Sequence, residues 1–581
     1  MKKALKYCLS TLKWLLIGVV GLILLAVFLF YLPPVQDFAV RKALDSVNAG
    51  GGMHISVKKA RIGFPLRLSV DSLSMSTPGM EIAAARVRGD VAMLPLLRGS
   101  AEVKTLALAG AVVNLGTPDS ALYMKSAIAV AALDNASVGL ISKKIDIERL
   151  RARNGRVTMV LKPDTAAVEK PAGEPVEWDI NLHQTVLEGV FYRMQMLPTI
   201  DDLQCALPKA EMLDGSIDLK NSRINVDELT IAGVDARYIV PTPEFVKAHP
   251  APVIPADTAA VKSAPWLINA RKLRLTGSHA VYATAGAVPM SGFDPEYIEA
   301  SEIDIAVDSF MNHGTAIRVP LTELKARERC GVSLSASGVF EMDSTAMYAR
   351  RFSITTPASS IGLDAMMGLS AQNPPVKAAL TVSLSPDDVK LLAPPAAQPI
   401  VAALPPYTPI EAEADIEGRM NNLEVRKLRA AIPRHVEVAL QGNIADYNDI
   451  NAARGDLRLT GHITDGNFIK PTLLAAKMQK QVNIPPLNLL GNVKLAGGII
   501  DGDLRAVTHG GDVALSAWWN NRRVAYDVAL DMNTFPIQSI LPLSGLRDID
   551  ASVDVTGNGL DFFARSTKVD AAVNLKSMVI N

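Results

Sequence analysis

Chemistry is sought first among the eight histidines: His54, His183, His249, His279, His313, His435, His462 and His509. None belongs to an HExxH run and none stands with cysteine at metal-ligand spacing. Each therefore reads as an ordinary strand or loop residue. His509-Gly510-Gly511 is similar to an oxyanion-hole loop, but no G-x-S-x-G nucleophile elbow accompanies it, so the glycines read as a turn. Carboxylates cluster at Asp201-Asp202 and at Asp548, Asp550 and Asp554, and the alternation of the second group marks the wet side of a strand. Cys8, Cys205 and Cys330 make no disulfide framework, although a Cys205–Cys330 bridge stays open. EF-hand, Walker A and dinucleotide fingerprints are missing from the sequence. These residues point to no enzyme, no metal and no cofactor.

What the side chains do offer is apolar contact in a repeating pattern. In SIDLKNSRINVDELTI, Ile217 and Leu219 oppose Asp218 and Lys220; Ile224 and Val226 alternate with Arg223, Asn225 and Asp227; Leu229 and Ile231 alternate with Glu228 and Thr230. Ile303, Ile305 and Val307 are set against Glu302, Asp304 and Asp308. Late in the chain Val524, Tyr526, Val528 and Leu530 are set against Arg523, Asp527 and Asp531. Leu66, Leu68 and Val70 are further candidates near the beginning. Period-two alternation with one charged side belongs to antiparallel sheet wetted on one face. Aromatic residues are only 5% and methionines number 20, so the apolar side is aliphatic and thioether, a flexible lining for variable apolar ligands. Acyl chains could occupy such a strip at about 0.8 kcal/mol per buried methylene. The candidate lipid-lining residues are thus Leu66, Leu68, Val70, Ile217, Leu219, Ile224, Val226, Leu229, Ile231, Ile303, Ile305, Val524, Val528 and Leu530.

The elements that must position this strip follow from the rest of the chain. Trp14 to Leu32 is a run of nineteen residues without a charge, long enough to span a hydrocarbon core of about 30 Å. It ends in Phe28, Phe30, Tyr31 and Leu32 rather than in a small-residue cleavage site, so it reads as a retained anchor. Lys2, Lys3, Lys6 and Lys13 precede it against Arg41 and Lys42 beyond, which places the short N-terminal end in the cytoplasm. Pro33-Pro34 then opens a short helix over Val35–Val47, closed by Gly50-Gly51-Gly52. Lys+Arg and Asp+Glu are both 59, a balance that excludes the basic footprint of a nucleic-acid binder.

Two stretches rich in Pro, Ala and charge, 163–177 and 241–265, read as linkers. Both contain DTAAV and both lead to tryptophan. Trp178, Ile180, Asn181, Leu187 and Gly189 then correspond in register to Trp266, Ile268, Asn269, Leu275 and Gly277, an internal repeat. Asn154-Gly155 reads as a two-residue hairpin turn. A third Pro-rich stretch, 385–410, carries a short helix over Asp388–Leu392 before strands resume near Glu411. The expected domains are therefore 1–32 (cytoplasmic stub and membrane helix), 33–162 (helix and β entrance), a β repeat at 178–240, a second at 266–384, and a β continuation at 411–581. The expected fold is mainly β: a single N-terminal transmembrane helix, then an elongated, twisted antiparallel β-sheet groove of about 30 strands with few short helices.

These phrases resemble the N-terminal part of TamB-type proteins, in the AsmA-like superfamily of diderm bacteria. The resemblance is carried by LPPVQDFAVRKALDSV (Leu32–Val47), by GMHISVKKARIGFPLRLSVDSLSM (Gly52–Met75), by the W-x-I-N strands at Trp178 and Trp266, and by GNGLDFFARST (Gly557–Thr567). It implies an inner-membrane protein, single-pass, with its bulk in the periplasm as a hydrophobic-lined β-groove. It further implies transport of phospholipid between inner and outer membranes in support of outer-membrane biogenesis, with membrane lipids and an outer-membrane barrel as partners. TamB-type proteins are commonly much longer and finish in a specialised C-terminal domain, whereas this chain stops at Asn581 inside strand-like VNLKSMVIN. The expectation is an incomplete C-terminus or a short member nearer AsmA. The second functional reading is a scaffold assisting outer-membrane β-barrel assembly by strand addition, and an enzyme on a β scaffold ranks last.

Overall fold

The structure, a computed structural model, describes residues 31–49, 53–92, 95, 100–139, 141–162, 177–198, 200–249, 265–369, 373–474, 476–560 and 566–580. Of the expected anchor only Tyr31 and Leu32 fall within this set, and Trp14 lies outside it. Among the described residues no helix is long and apolar enough to cross a membrane. Most of both DTAAV linkers is likewise outside the described residues. Strands account for 67% of the described residues and helices are few and short, so the protein is mainly β. It divides into two compact units, the first over Met1–Ala287 with Ser301–Asp304, the second over Val288–Ala300 with Ile305–Asn581.

The first unit opens with helix α1 (Pro33–Asn48), whose prolines occupy the first turn, where no backbone N–H is needed. A meander follows: β1 (His54–Gly63), β2 (Arg67–Thr77), β3 (Met80–Ala92), β4 (Ser100–Leu115), β5 (Leu122–Gly139) and β6 (Lys144–Leu161), each antiparallel to the one before. After the first linker β7 (Asp179–Met196) pairs parallel to β6, and β8 (Asp201–Asp218) turns back along it. Next, β9 (Arg223–Ala232) and β10 (Asp235–Val240) pair with successive halves of β8. Helix α2 (Pro243–Ala248) occupies part of the stretch expected to be linker, N-capped by Thr242. Strand β11 (Leu267–Thr284) then runs parallel to both β9 and β10.

The sheet is therefore mixed, a correction to the purely antiparallel expectation. Both parallel joints are made by the strands that follow the two linkers, β7 and β11, which are also the repeat strands. A parallel neighbour requires the chain to be carried back to its starting end, which a hairpin cannot do.

The second unit is an antiparallel meander. Strand β12 (Tyr297–His313) is divided between the units, and β13 (Ala316–Glu328), β14 (Ser333–Met342), β15 (Ala346–Thr355), β16 (Ser360–Gly368) and β17 (Pro375–Leu384) follow. Helices α3 (Pro386–Leu392) and α4 (Gln398–Ala402) occupy the third Pro-rich stretch; the first covers the expected Asp388–Leu392, and the second is additional. The meander resumes with β18 (Ile410–Arg419), β19 (Asn422–Ile432), β20 (Val436–Ala445), β21 (Arg454–Ile463), β22 (Leu487–Ala496) and β23 (Ile499–Val507). It finishes with β24 (Asp512–Asn520), β25 (Ala525–Phe535), β26 (Leu546–Asn558) and β27 (Lys568–Ile580). From β13 onward every strand pairs antiparallel with the next in sequence, mostly through short turns, with longer helical connections after β17 and β21.

Strands β5 to β8 and β11 each have 18 residues, about 60 Å at 3.3 Å per residue. Strict alternation over that length would require a perfect two-residue period, and the sequence does not have one. The structure accommodates this with aligned phase shifts. Ser72, Gly110, Asn154, Gly189, Gly233 and Gly277 all have φ between +53° and +68°, and the register places them in one row across the first unit. At each shift two successive residues stand on the wet side, after which the apolar series returns to its own face. Asn154-Gly155 is one of these shifts, inside β6. It is not the hairpin turn expected: left-handed asparagine suits a bulge as well as a reversal.

Candidate binding face

Paired residues share a face, so the register identifies which side chains form each row. In the first unit one row reads Leu68, Gly89, Leu106, Leu133, Leu150, Thr185, Met212, Leu229 and Leu273 across β2–β9 and β11. A second gathers Leu115, Met124, Met159, Met194 and Leu203 from β4–β8. In the second unit, Phe352, Leu363, Leu380, Ala414, Leu428, Leu440 and Leu459 run from β15 to β21. Beyond Gly491 the row continues as Leu504, Leu515, Leu530, Val553 and Val573. Each strand contributes one side chain per row, and neighbours in a row stand about 4.8 Å apart, strand to strand.

These rows are not a closed core. The buried hydrophobic residues described are 22, of which 13 are alanine and none is leucine or methionine. The large aliphatic side chains remain half-buried, and some are open: Leu428 keeps 39% of its surface and Val573 71%. The wet face opposite is tied by ion pairs between strands. Arg193 meets Asp202 at 2.8 Å, Arg505 meets Asp512 at 2.9 Å, and Arg429 bridges Glu437 at 3.0 Å and Glu411 at 3.3 Å. The hydrogen bond from Arg193 holds the Asp202 carboxyl below the usual carboxylate range. Pairs of this exposure fix side-chain geometry more than they add stability.

The candidate residues are distributed as follows. Ile217 and Ile224 are direct partners, Val226 faces Gly215, Leu229 faces Met212 and Ile231 faces Ala210, so five candidates from β8 and β9 meet on one side. Val528 faces Ala517 and Val555, and Leu530 faces Leu515 and Val553. Ile303 is buried and Ile305 half-buried on β12. Val70 is shut in with Ala60, Ala84 and Val87 beneath Val40 of α1, so it is core rather than open wall. Leu66 and Leu219 lie in turns outside the strands: the Leu66 carbonyl accepts from Val91 N–H, and Leu219 N–H donates to the Trp178 carbonyl. Val524, expected within a strand, stands in the turn before β25 with φ +50°, because the Asn521–Arg523 reversal uses one residue more than the alternation allows. Leu32 is the N-cap of α1.

The remaining motifs have simple structural roles. His509-Gly510-Gly511 is the turn between β23 and β24, with Thr508 N–H bonded to the Gly511 carbonyl at 2.9 Å. Cys205 and Cys330 are free thiols, and burial pushes both up. Among the described residues no group of acidic, histidine and cysteine side chains could hold a metal.

Two features escaped the sequence. One is a polar row at a second line of phase shifts: Asn135 donates to Glu148 at 2.6 Å, His183 meets Asp214 at 3.0 Å, and Arg271 pairs with Asp227. Consecutive polar residues within otherwise alternating strands, such as Asp227-Glu228, are the signal that finds it. The other is a clamp. The Gln36 amide donates to the Ile62 carbonyl at 2.7 Å and accepts from Ile62 N–H at 3.1 Å. The Asn48 amide does the same for Ile55, at 3.0 and 2.7 Å. Two side chains of α1 thus stand in for a neighbouring strand along the outer edge of β1.

No protein-family model matches the sequence, and no curated protein matches it.

Proposed function

We propose that the protein is a lipid carrier, anchored in the inner membrane of a diderm bacterium by Trp14–Leu32, that accepts phospholipid acyl chains along its apolar face and passes them across the periplasm. The observation that supports this most is the set of leucine- and methionine-rich rows that continue strand after strand yet stay half-open to water. A structural core of the same residues would bury its leucines first. Half-open aliphatic rows instead leave area for a ligand to cover, and each methylene that leaves water contributes about 0.8 kcal/mol. No residue need perform chemistry in this reading. The test is photocross-linking in cells from Ile217, Ile224, Val226, Val528 and Leu530, which should trap phospholipid. Adducts only from Asp218 and Asp527, on the wet side, would sink the idea. Val226→Asp should stop lipid passage while leaving the β circular dichroism signal unchanged.

A further inference from the structure

We propose that the first turns of α1 and the β1–β2 turn form one rigid surface that seats the protein on the headgroup–acyl boundary of a phospholipid bilayer. The inference rests on the reading of Trp14–Leu32 as a membrane anchor and adds a second contact to it. Phe64, at the tip of the β1–β2 turn, leaves 75% of its surface exposed, and Phe38 on α1 leaves 68%. Val35 lies one helical turn before Phe38 on the same side of α1, also exposed. Tyr31 joins this surface to the uncharged run. Its ring meets the Phe64 ring edge-on at 6.0 Å, and its hydroxyl donates to the Pro65 carbonyl. The last aromatic of the run is thus fixed to the turn, and Phe64 stands where the run ends.

The surface is held in one piece. Gln36 bonds to Ile62 at the turn end of β1, Asn48 bonds to Ile55 at the other end, and Asp37 pairs with Arg61 between them. Basic side chains flank the apolar ones: Arg41 and Lys42 are exposed on the next turn of α1, and the Arg67 side chain at the start of β2, 3.5 Å from Asp90, is 72% exposed. Aromatic residues at the acyl boundary with cations at headgroup level are the composition a bilayer interface takes. The occupant is therefore the bilayer itself. Seated in this way, the turn brings Leu66 and Leu68 to the lipid from which an acyl chain would leave.

The experiment uses the full chain in vesicles of phosphatidylethanolamine and phosphatidylglycerol, with a benzophenone amino acid at position 64, 38, 14 or 407 in turn. Tyr407, 95% exposed, is the control in water. Lipid adducts at 64 and 38 should exceed those at 407 by about fivefold or more if those side chains lie at the acyl boundary. Adducts at 14 but only control levels at 64 and 38 would overturn the seating surface and leave the anchor standing. Control levels at all three would overturn both. The carrier reading is judged separately, by adducts at Val226.

Discussion

His183 lies between two carboxylates on the wet side of β7, 3.0 Å from Asp214 and 3.4 Å from Asp146. The hydrogen bond to Asp214, followed by the attraction of Asp146, raises its pKa above the ordinary 6.5. A histidine held protonated by the fold stabilises it fully below the unfolded pKa, and that contribution is lost as pH rises through the folded pKa. Comparing urea midpoints of the wild type and His183→Gln should therefore show the largest difference below about pH 6, shrinking as pH rises through the folded-state pKa. The side chain is more than half exposed, so the difference should be about 0.5 kcal/mol or less. A difference that grew with pH would contradict the assignment. Nothing in the histidine's own neighbourhood in sequence announces this role. Asp214 and Asp146 lie on the flanking strands, and only strand pairing brings them to it. Leu229 and Ile231, by contrast, declare their side through the polar pair Asp227-Glu228 that precedes them.

At the scale of elements, β1 is an edge strand that α1 completes. Gln36 and Asn48 each satisfy one N–H and one C=O of β1, and each exchange is worth about 1–2 kcal/mol. Gln36→Ala and Asn48→Ala should each lower stability of the α1–β1 region by that amount. Hydrogen exchange at Ile62 N–H and Ile55 N–H respectively should accelerate, with the amides of β5 to β8 unaffected. Unchanged exchange at both sites would show that the helix is held by Val40 and its apolar neighbours instead. The existence of α1, with its paired prolines and helical spacing of Val35, Phe38, Leu44 and Val47, was legible in the sequence. Its clamp was not, because a buried amide in a helix has no sequence signature until the strand beside it is known. The parallel joints at β7 and β11 were hidden for a similar reason: a linker's composition marks a break in the sheet, not the direction in which the chain resumes.

Across the whole molecule, leucines that would lie in a closed interior in a compact domain are only half-buried. Truncating one should therefore cost less than usual. Leu440→Ala, in the long row of the second unit, should lower stability by about 1 kcal/mol, against the 2–5 kcal/mol typical of enclosed leucines. Chemical denaturation of the lipid-free protein measures this directly. A loss of about 4 kcal/mol would mean that the row is sealed and leaves no room for an acyl chain.

The sequence by itself determined the mainly β class, the period-two strip, the helices over Val35–Val47 and Asp388–Leu392, and the absence of motifs for catalysis. All of these arise from local preferences: proline's fixed φ, alternation along a strand, and the short-range spacing of side chains. Tertiary structure alone decided which strands neighbour one another, that the sheet is mixed, and that phase shifts align into rows that return each apolar series to the same face. It also removed Val70 from the open strip and put Val524 in a turn. Those outcomes depend on register between residues far apart in the chain, and a one-residue change of register reverses every side chain beyond it.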